Sequence, residues 1–133
     1  MSTVVIVHAD VVSFLCKGDT RAQAYHRHLQ GRTLAVSFMT VAELYQWASV
    51  RNWGERRLSR LEERLRAYIV LPYDAELRKH WATVRVECQR QGRPISTQEA
   101  WIAATALRPK CPLVTHNGDD YVAVAGLCII ADT

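Results

Sequence analysis

Short apolar runs rich in β-branched residues alternate along this chain with longer stretches whose apolar positions recur every three or four residues. Residues 4–7, VVIV, read as a buried strand. A polar break, His8-Ala9-Asp10, follows, and residues 11–16 are apolar again up to the turn signal Lys17-Gly18-Asp19. Ala22, Tyr25 and Leu29 place a helix over 20–30, stopped by Gly31. Residues 34–38 read as a second strand. Thr40 then serves as the cap of a helix from Val41, with Glu43 at the capping-box position.

Leu58, Leu61 and Leu65 mark one face of a charged helical stretch over 51–68. A third strand at 69–71 ends at Pro72. Asp74 is suited to cap a helix over 75–91, which Gly92 ends. After the loop 93–96, Ser96 or Thr97 caps a helix over 98–107. Strands four and five fall at 112–115 and 127–130.

This alternation predicts an α/β domain with a largely parallel sheet. Such a sheet carries its ligand site beyond the carboxyl ends of its strands. His8 and Asp10 follow strand one, Thr40 and Glu43 follow strand two, and Asn117, Asp119 and Asp120 follow strand four. Glu99 opens the helix before strand four. Carboxylates gathered in one place repel one another unless a cation neutralises them, and a hard divalent ion does so through oxygen ligands. Such a site suits phosphodiester hydrolysis. Capping and the helix dipole offer Glu43 and Glu99 a purely structural reading of similar weight.

Composition narrows the class. The chain has 133 residues, 49% hydrophobic and 23% charged, which fits one ordinary globular domain and excludes a disordered or fibrous chain. The net charge of +4 permits an anionic partner without demanding one. Six Arg and three Glu lie between Arg51 and Arg66, so that stretch supplies 6 − 3 = +3 of the total. Its simplest reading is a solvated or protein-contacting helix face rather than an RNA contact. The cysteines Cys16, Cys88, Cys111 and Cys128 are widely spaced, with no zinc-like pairing, and suggest reduced, mostly buried thiols. With no secretory pattern at the N-terminus and no apolar run of membrane-spanning length, a cytoplasmic protein is expected.

Four segments, VVIVHADVVSFLCKGD, VSFMTVAELYQWA, GRPISTQEAWIAATAL and LVTHNGDDYVAVAGLCII, carry a resemblance that spans nearly the whole chain. In their order and separations they resemble the PIN-domain family, within it the small VapC-like toxins of bacterial toxin–antitoxin pairs. The resemblance implies a PIN-like three-layer α/β/α sandwich over residues 1–133, with a mostly parallel sheet of about five strands. It implies a Mg²⁺- or Mn²⁺-dependent endoribonuclease, commonly a homodimer, acting on tRNA, rRNA or mRNA and inhibited by an antitoxin protein.

Carried over residue by residue, the metal set is His8, Asp10, Glu43, Glu99, Asn117 and Asp120, with Glu43, Glu99, Asp10 and Asp120 as the catalytic acids. Thr40, Thr115 and His116 fall at substrate-contacting places. Tyr45, Trp47, Arg56, Arg57 and Arg60 fall where an antitoxin or second protomer is met. The chain departs from the family at the first acid, where His8 stands for Asp, and at Glu99, which also replaces Asp. Of Asn117, Asp119 and Asp120, the pattern leaves open which faces the ion. Two departures at the metal centre leave a second reading, a catalytically impaired PIN domain that binds antitoxin or RNA. An α/β phospho-receiver fits poorly, because no Lys follows the last strand.

Overall fold

The computed structural model describes residues 4–131. Its strands are β1 (Val4–Val7), β2 (Thr33–Ser37), β3 (Ile69–Leu71), β4 (Leu113–Val114) and β5 (Ile129–Ile130). They form one sheet in the order β3-β2-β1-β4-β5, and every pairing is parallel. The central strand β1 is fully apolar because helices cover both its faces. Val5 and Val7 point into one core, while Ile6 points into the other.

The first core is closed by α1 (Ala9–Lys17), α2 (Ala22–Leu29) and α4 (Glu55–Leu65), through Phe14, Tyr25 and Leu61. The second is closed by α5 (Leu77–Arg90) and α6 (Thr97–Leu107), through Val84, Cys88 and Ile102. The sixth helix, α3 (Phe38–Val50), adds Leu44 to the first core and Met39 to the second. The expected α/β/α sandwich is therefore present, and all of its sheet is parallel.

Several boundaries differ from the sequence expectation for local reasons. The apolar run 11–16 is helical, inside α1, and Gly18 ends that helix at φ 66°. β2 stops at Ser37, whose hydroxyl caps α3 by accepting from the Met39 amide at 3.0 Å. Thr40 thus lies inside α3 and is not its cap, and no capping box forms with Glu43. The stretch 51–68 is broken by a turn at Asn52, with φ 53°, so α4 begins only at Glu55. Asp74 accepts from the Leu77 amide at 3.0 Å, but α5 begins only at Leu77, with Glu76 in the cap position, so Asp74 holds the turn before the helix rather than sitting at its cap. A 3₁₀ turn at Gly118–Tyr121, absent from the sequence reading, follows β4.

All four cysteines are free; Cys88 and Cys111 are buried and Cys128 is exposed. Among the described residues no helix is long and apolar enough to cross a membrane.

Candidate metal-binding nuclease site

Because the sheet is parallel, β1, β2 and β4 all deliver their following residues to one end of the molecule. His8 caps α1 directly after β1. Glu43 sits one and a half turns into α3, after β2. Glu99 stands at the third position of α6, and Asp120 in the 3₁₀ turn after β4.

Asp10 is the best-held group of the set. Its Oδ1 accepts from the Val11 amide at 2.6 Å, and its Oδ2 accepts from Thr115 Oγ1 at 3.2 Å, the His116 amide at 3.0 Å and Asn117 Nδ2 at 3.1 Å. These bonds tie the start of α1 to the loop after β4. They also give each oxygen at least one protein donor. Asn117 and Thr115 belong to that same tie; Thr115 Oγ1 in turn accepts from the Asn117 amide at 3.2 Å.

His8 Nδ1 lies 3.1 Å from both the Asp10 amide nitrogen and Asp10 Oδ1. The two contacts make opposite demands: the amide needs a lone pair on Nδ1, the carboxylate a proton. The electrostatics favour the proton. Burial pulls the imidazole pKa down, but the Asp10 carboxylate, helped by Glu43 and Glu99, holds it above its ordinary value. Burial likewise pushes the Asp10 carboxyl up, and His8 with the His116 and Val11 amides brings it below its ordinary value.

The remaining acids behave as a group short of positive charge. The Glu43 carboxyl is raised by burial; Glu99 and Asp10 add to this, and His8 opposes it. Its buried Oε1 has no hydrogen-bond partner. Asp120 is raised by slight burial, then by the charge of Glu99 and a hydrogen bond with it. Glu99 also closes the capping box of α6: its Oε1 accepts from the Ser96 amide at 3.2 Å, while Ser96 Oγ accepts from the Glu99 amide at 3.0 Å. Glu99 is therefore a cap in this structure and also a neighbour of Asp120.

Tyr121 was not foreseen. It is fully buried, its ring meets His8 edge-on at 5.9 Å, and its hydroxyl has no partner. Burial and then Glu99, Glu43, Asp10 and Asp120 push that hydroxyl far above its ordinary pKa. The sequence signal was the aromatic residue directly after Asp120.

Other expected positions sit apart from the acids. His116 turns towards α2: its Nδ1 is 2.8 Å from the hydroxyl of buried Tyr25, and Phe14 packs against its ring. Thr40 is fully buried, with Oγ1 unpartnered. Tyr45 donates to Glu62 Oε2 at 2.8 Å, which pins α3 to α4. Trp47 packs on the first core. Arg56, Arg57 and Arg60 are exposed on α4, and the Arg57 guanidinium lies 4.9 Å from the Trp53 ring centre.

As placed, no three His, Cys, Asp or Glu side chains among the described residues are gathered tightly enough to hold an ion. The donor chemistry nonetheless fits a cation. Two buried oxygens, Glu43 Oε1 and the Tyr121 hydroxyl, lack partners among the described residues, and burial, with neighbouring negative charge after it, raises the carboxyl groups of Glu43 and Asp120.

The PIN domain family model matches residues 7–127. The tRNA(fMet)-specific endonuclease VapC of Shigella flexneri is 34% identical over 122 residues, 92% of each chain. Ribonuclease VapC2 of Haemophilus influenzae is 31% identical over 94 residues, 71% of each chain. In fold, the chain resembles the structure of VapBC2 from Rickettsia felis bound to a promoter DNA fragment, with a TM-score of 0.86 at 19% identity, covering 98% of this chain and 99% of that one. It also resembles VapBC-1 from nontypeable Haemophilus influenzae, with a TM-score of 0.82 at 24% identity, covering 96% and 97%. On the family match and these near full-length relatives, the chain belongs to the PIN-domain family, with VapC ribonucleases among its relatives.

Proposed function

We propose that this chain is a divalent-metal-dependent endoribonuclease of the VapC type, the toxin of a toxin–antitoxin pair, acting as one PIN-like domain over residues 1–133. The observation that carries this reading is the convergence of His8, Glu43, Glu99 and Asp120 at the carboxyl end of the parallel sheet, with buried oxygens left unpartnered. Relatives named as ribonucleases supply the reaction class.

In this reading Glu43, Glu99 and Asp120 hold Mg²⁺ or Mn²⁺. When bound, the ion supplies an activated water and neutralises charge on the scissile phosphate. Asp10 fixes the loop of Thr115, His116 and Asn117, so the backbone after β4 keeps its place beside the acids as RNA enters. Tyr121 walls the site with an apolar ring and excludes water from its floor. The substrate is RNA, with tRNA favoured by the name of the Shigella flexneri relative.

The partner is an antitoxin protein, consistent with the VapBC assemblies that share this fold. Tyr45, Trp47 and the Arg56, Arg57 and Arg60 face of α4 are proposed to meet the antitoxin or a second protomer of a homodimer, in the cytoplasm. Incubation of the purified chain with tRNA and rRNA tests the activity. Endonucleolytic fragments should form with Mg²⁺ or Mn²⁺ and vanish in chelator. RNA left intact under every condition would contradict the reading.

A further inference from the structure

Aromatic rings gather at the same end of the sheet as the acids, on its β3 side. Phe38 opens α3 directly after β2, Tyr73 comes just after β3, and Trp101 lies on α6 beyond Glu99. Trp101 meets Phe38 at 5.7 Å and Tyr73 at 5.8 Å, both edge-on, and stacks on Trp81 of α5 at 5.1 Å. The cluster is not sealed: Tyr73 is 49% exposed, and Phe38, Trp81 and Trp101 are half-buried.

Cations frame these rings. Arg78, Trp81 and Arg85 share one face of α5 at helical spacing, and Ala82 and Gln89 of that face carry no charge. The Arg85 guanidinium lies 5.6 Å from the Trp81 ring centre and donates to the Ile95 carbonyl at 2.6 Å. Trp81 Nε1 donates to the Thr97 carbonyl at 3.2 Å, and Arg93 donates to the Asp119 carbonyl at 3.2 Å. These bonds fix rings and cations against the segment that leads into Glu99 and the turn that carries Asp120. Their acceptors are neutral carbonyls, so the positive charge is not cancelled. Asp74, the acid next to Tyr73, is paired with Arg108.

We propose that this aromatic and cationic surface is a substrate subsite that receives unpaired RNA bases by stacking, with Tyr73 as the outermost ring and Arg78 and Arg85 on the flanking phosphates. Every base has a face that a ring can stack on, and guanidinium groups meet the phosphates between bases. A second copy of the chain would bring the same cations to the contact, whereas a polyanion complements them. The inference rests on the RNA reading above and narrows the substrate to single-stranded segments.

Binding of a short single-stranded oligoribonucleotide to the full chain, in chelator so that it stays intact, tests it. Titration should quench tryptophan emission, and a duplex of the same length should bind more weakly. Tyr73→Ala should weaken single-strand binding roughly tenfold, as for loss of one base stack, and Tyr73→Phe should restore it. Arg78→Ala should lower the slope of log affinity against log salt by about 0.7.

If wild type cleaves RNA but binds no single strand in this assay, or if Tyr73→Ala binds it as wild type does, the subsite is wrong and the nuclease reading stands. Equal affinity for duplex and single strand also overturns it. A shift from dimer to monomer in Tyr73→Ala, read by analytical ultracentrifugation, assigns the face to a second copy and overturns it too. Tyr73-dependent binding without metal-dependent cleavage keeps the subsite and contradicts the nuclease reading. If wild type neither binds nor cleaves RNA, both fail together.

Discussion

Asp10 illustrates how little of a carboxylate's surroundings a sequence reveals. Its place after strand one was legible; the four donors that surround it come from residues about a hundred positions away and from its own helix. Replacing it by Ala leaves those donors buried without an acceptor, which should cost about 2–4 kcal/mol in urea unfolding. The effect has a pH signature. The Asp10 pKa lies below its ordinary value of 3.8 in the folded chain. Its contribution is therefore present above that value and is lost as the pH falls through the lower, folded value. The stability gap between wild type and Asp10→Asn should close below about pH 4, and above neutrality it should shrink as His8, held above its ordinary value by Asp10, loses its proton. A gap that widens in acid would assign the effect to another group. Tyr121 escaped notice because an aromatic residue says nothing by itself about which charges will surround its hydroxyl.

At the scale of elements, the caps separate structural from chemical work. Ser37, not Thr40, caps α3, because β2 ends one residue earlier than its apolar pattern suggested and Phe38 is already helical. Ser37→Ala should therefore cost about 1 kcal/mol. Thr40→Val, which removes a buried hydroxyl without a partner, should be neutral or slightly stabilising in the same thermal melts. The reverse order would restore Thr40 as the cap. Glu99 closes the capping box of α6 and also pairs with Asp120. Glutamine serves a capping box as well as glutamate does, so Glu99→Gln should stay within about 0.5 kcal/mol of wild-type stability. The same variant should bind Mn²⁺ markedly more weakly in calorimetry, because one charge of the cluster is gone. Equal losses of stability and affinity would mean the residue is only a cap.

For the whole molecule, strand count, strand direction and the converging end of the sheet were all readable from the alternation of apolar runs and amphipathic helices. The chain needs no more than that pattern to bury both faces of β1. The helical nature of 9–17 was not readable, since an apolar run fits a buried strand and a buried helix alike. How Asn117, Asp119 and Asp120 are directed was also hidden, because the 3₁₀ turn at Gly118–Tyr121 sets it: Asn117 bonds Asp10, Asp120 neighbours Glu99, and Asp119 is exposed. Charge divides in the same way. The stretch from Arg51 to Arg66, which includes α4, carries most of the positive excess, and the site end carries clustered carboxylates. The most direct test of the account is divalent-ion-dependent cleavage of tRNA by wild type and by Glu43→Gln, a neutral variant of the same shape. The account predicts Mn²⁺-stimulated fragmentation by wild type and a loss of roughly 100-fold or more in the variant, in the range seen when a charge-stabilising group is removed from an active site. Cleavage by Glu43→Gln at the wild-type rate would contradict it.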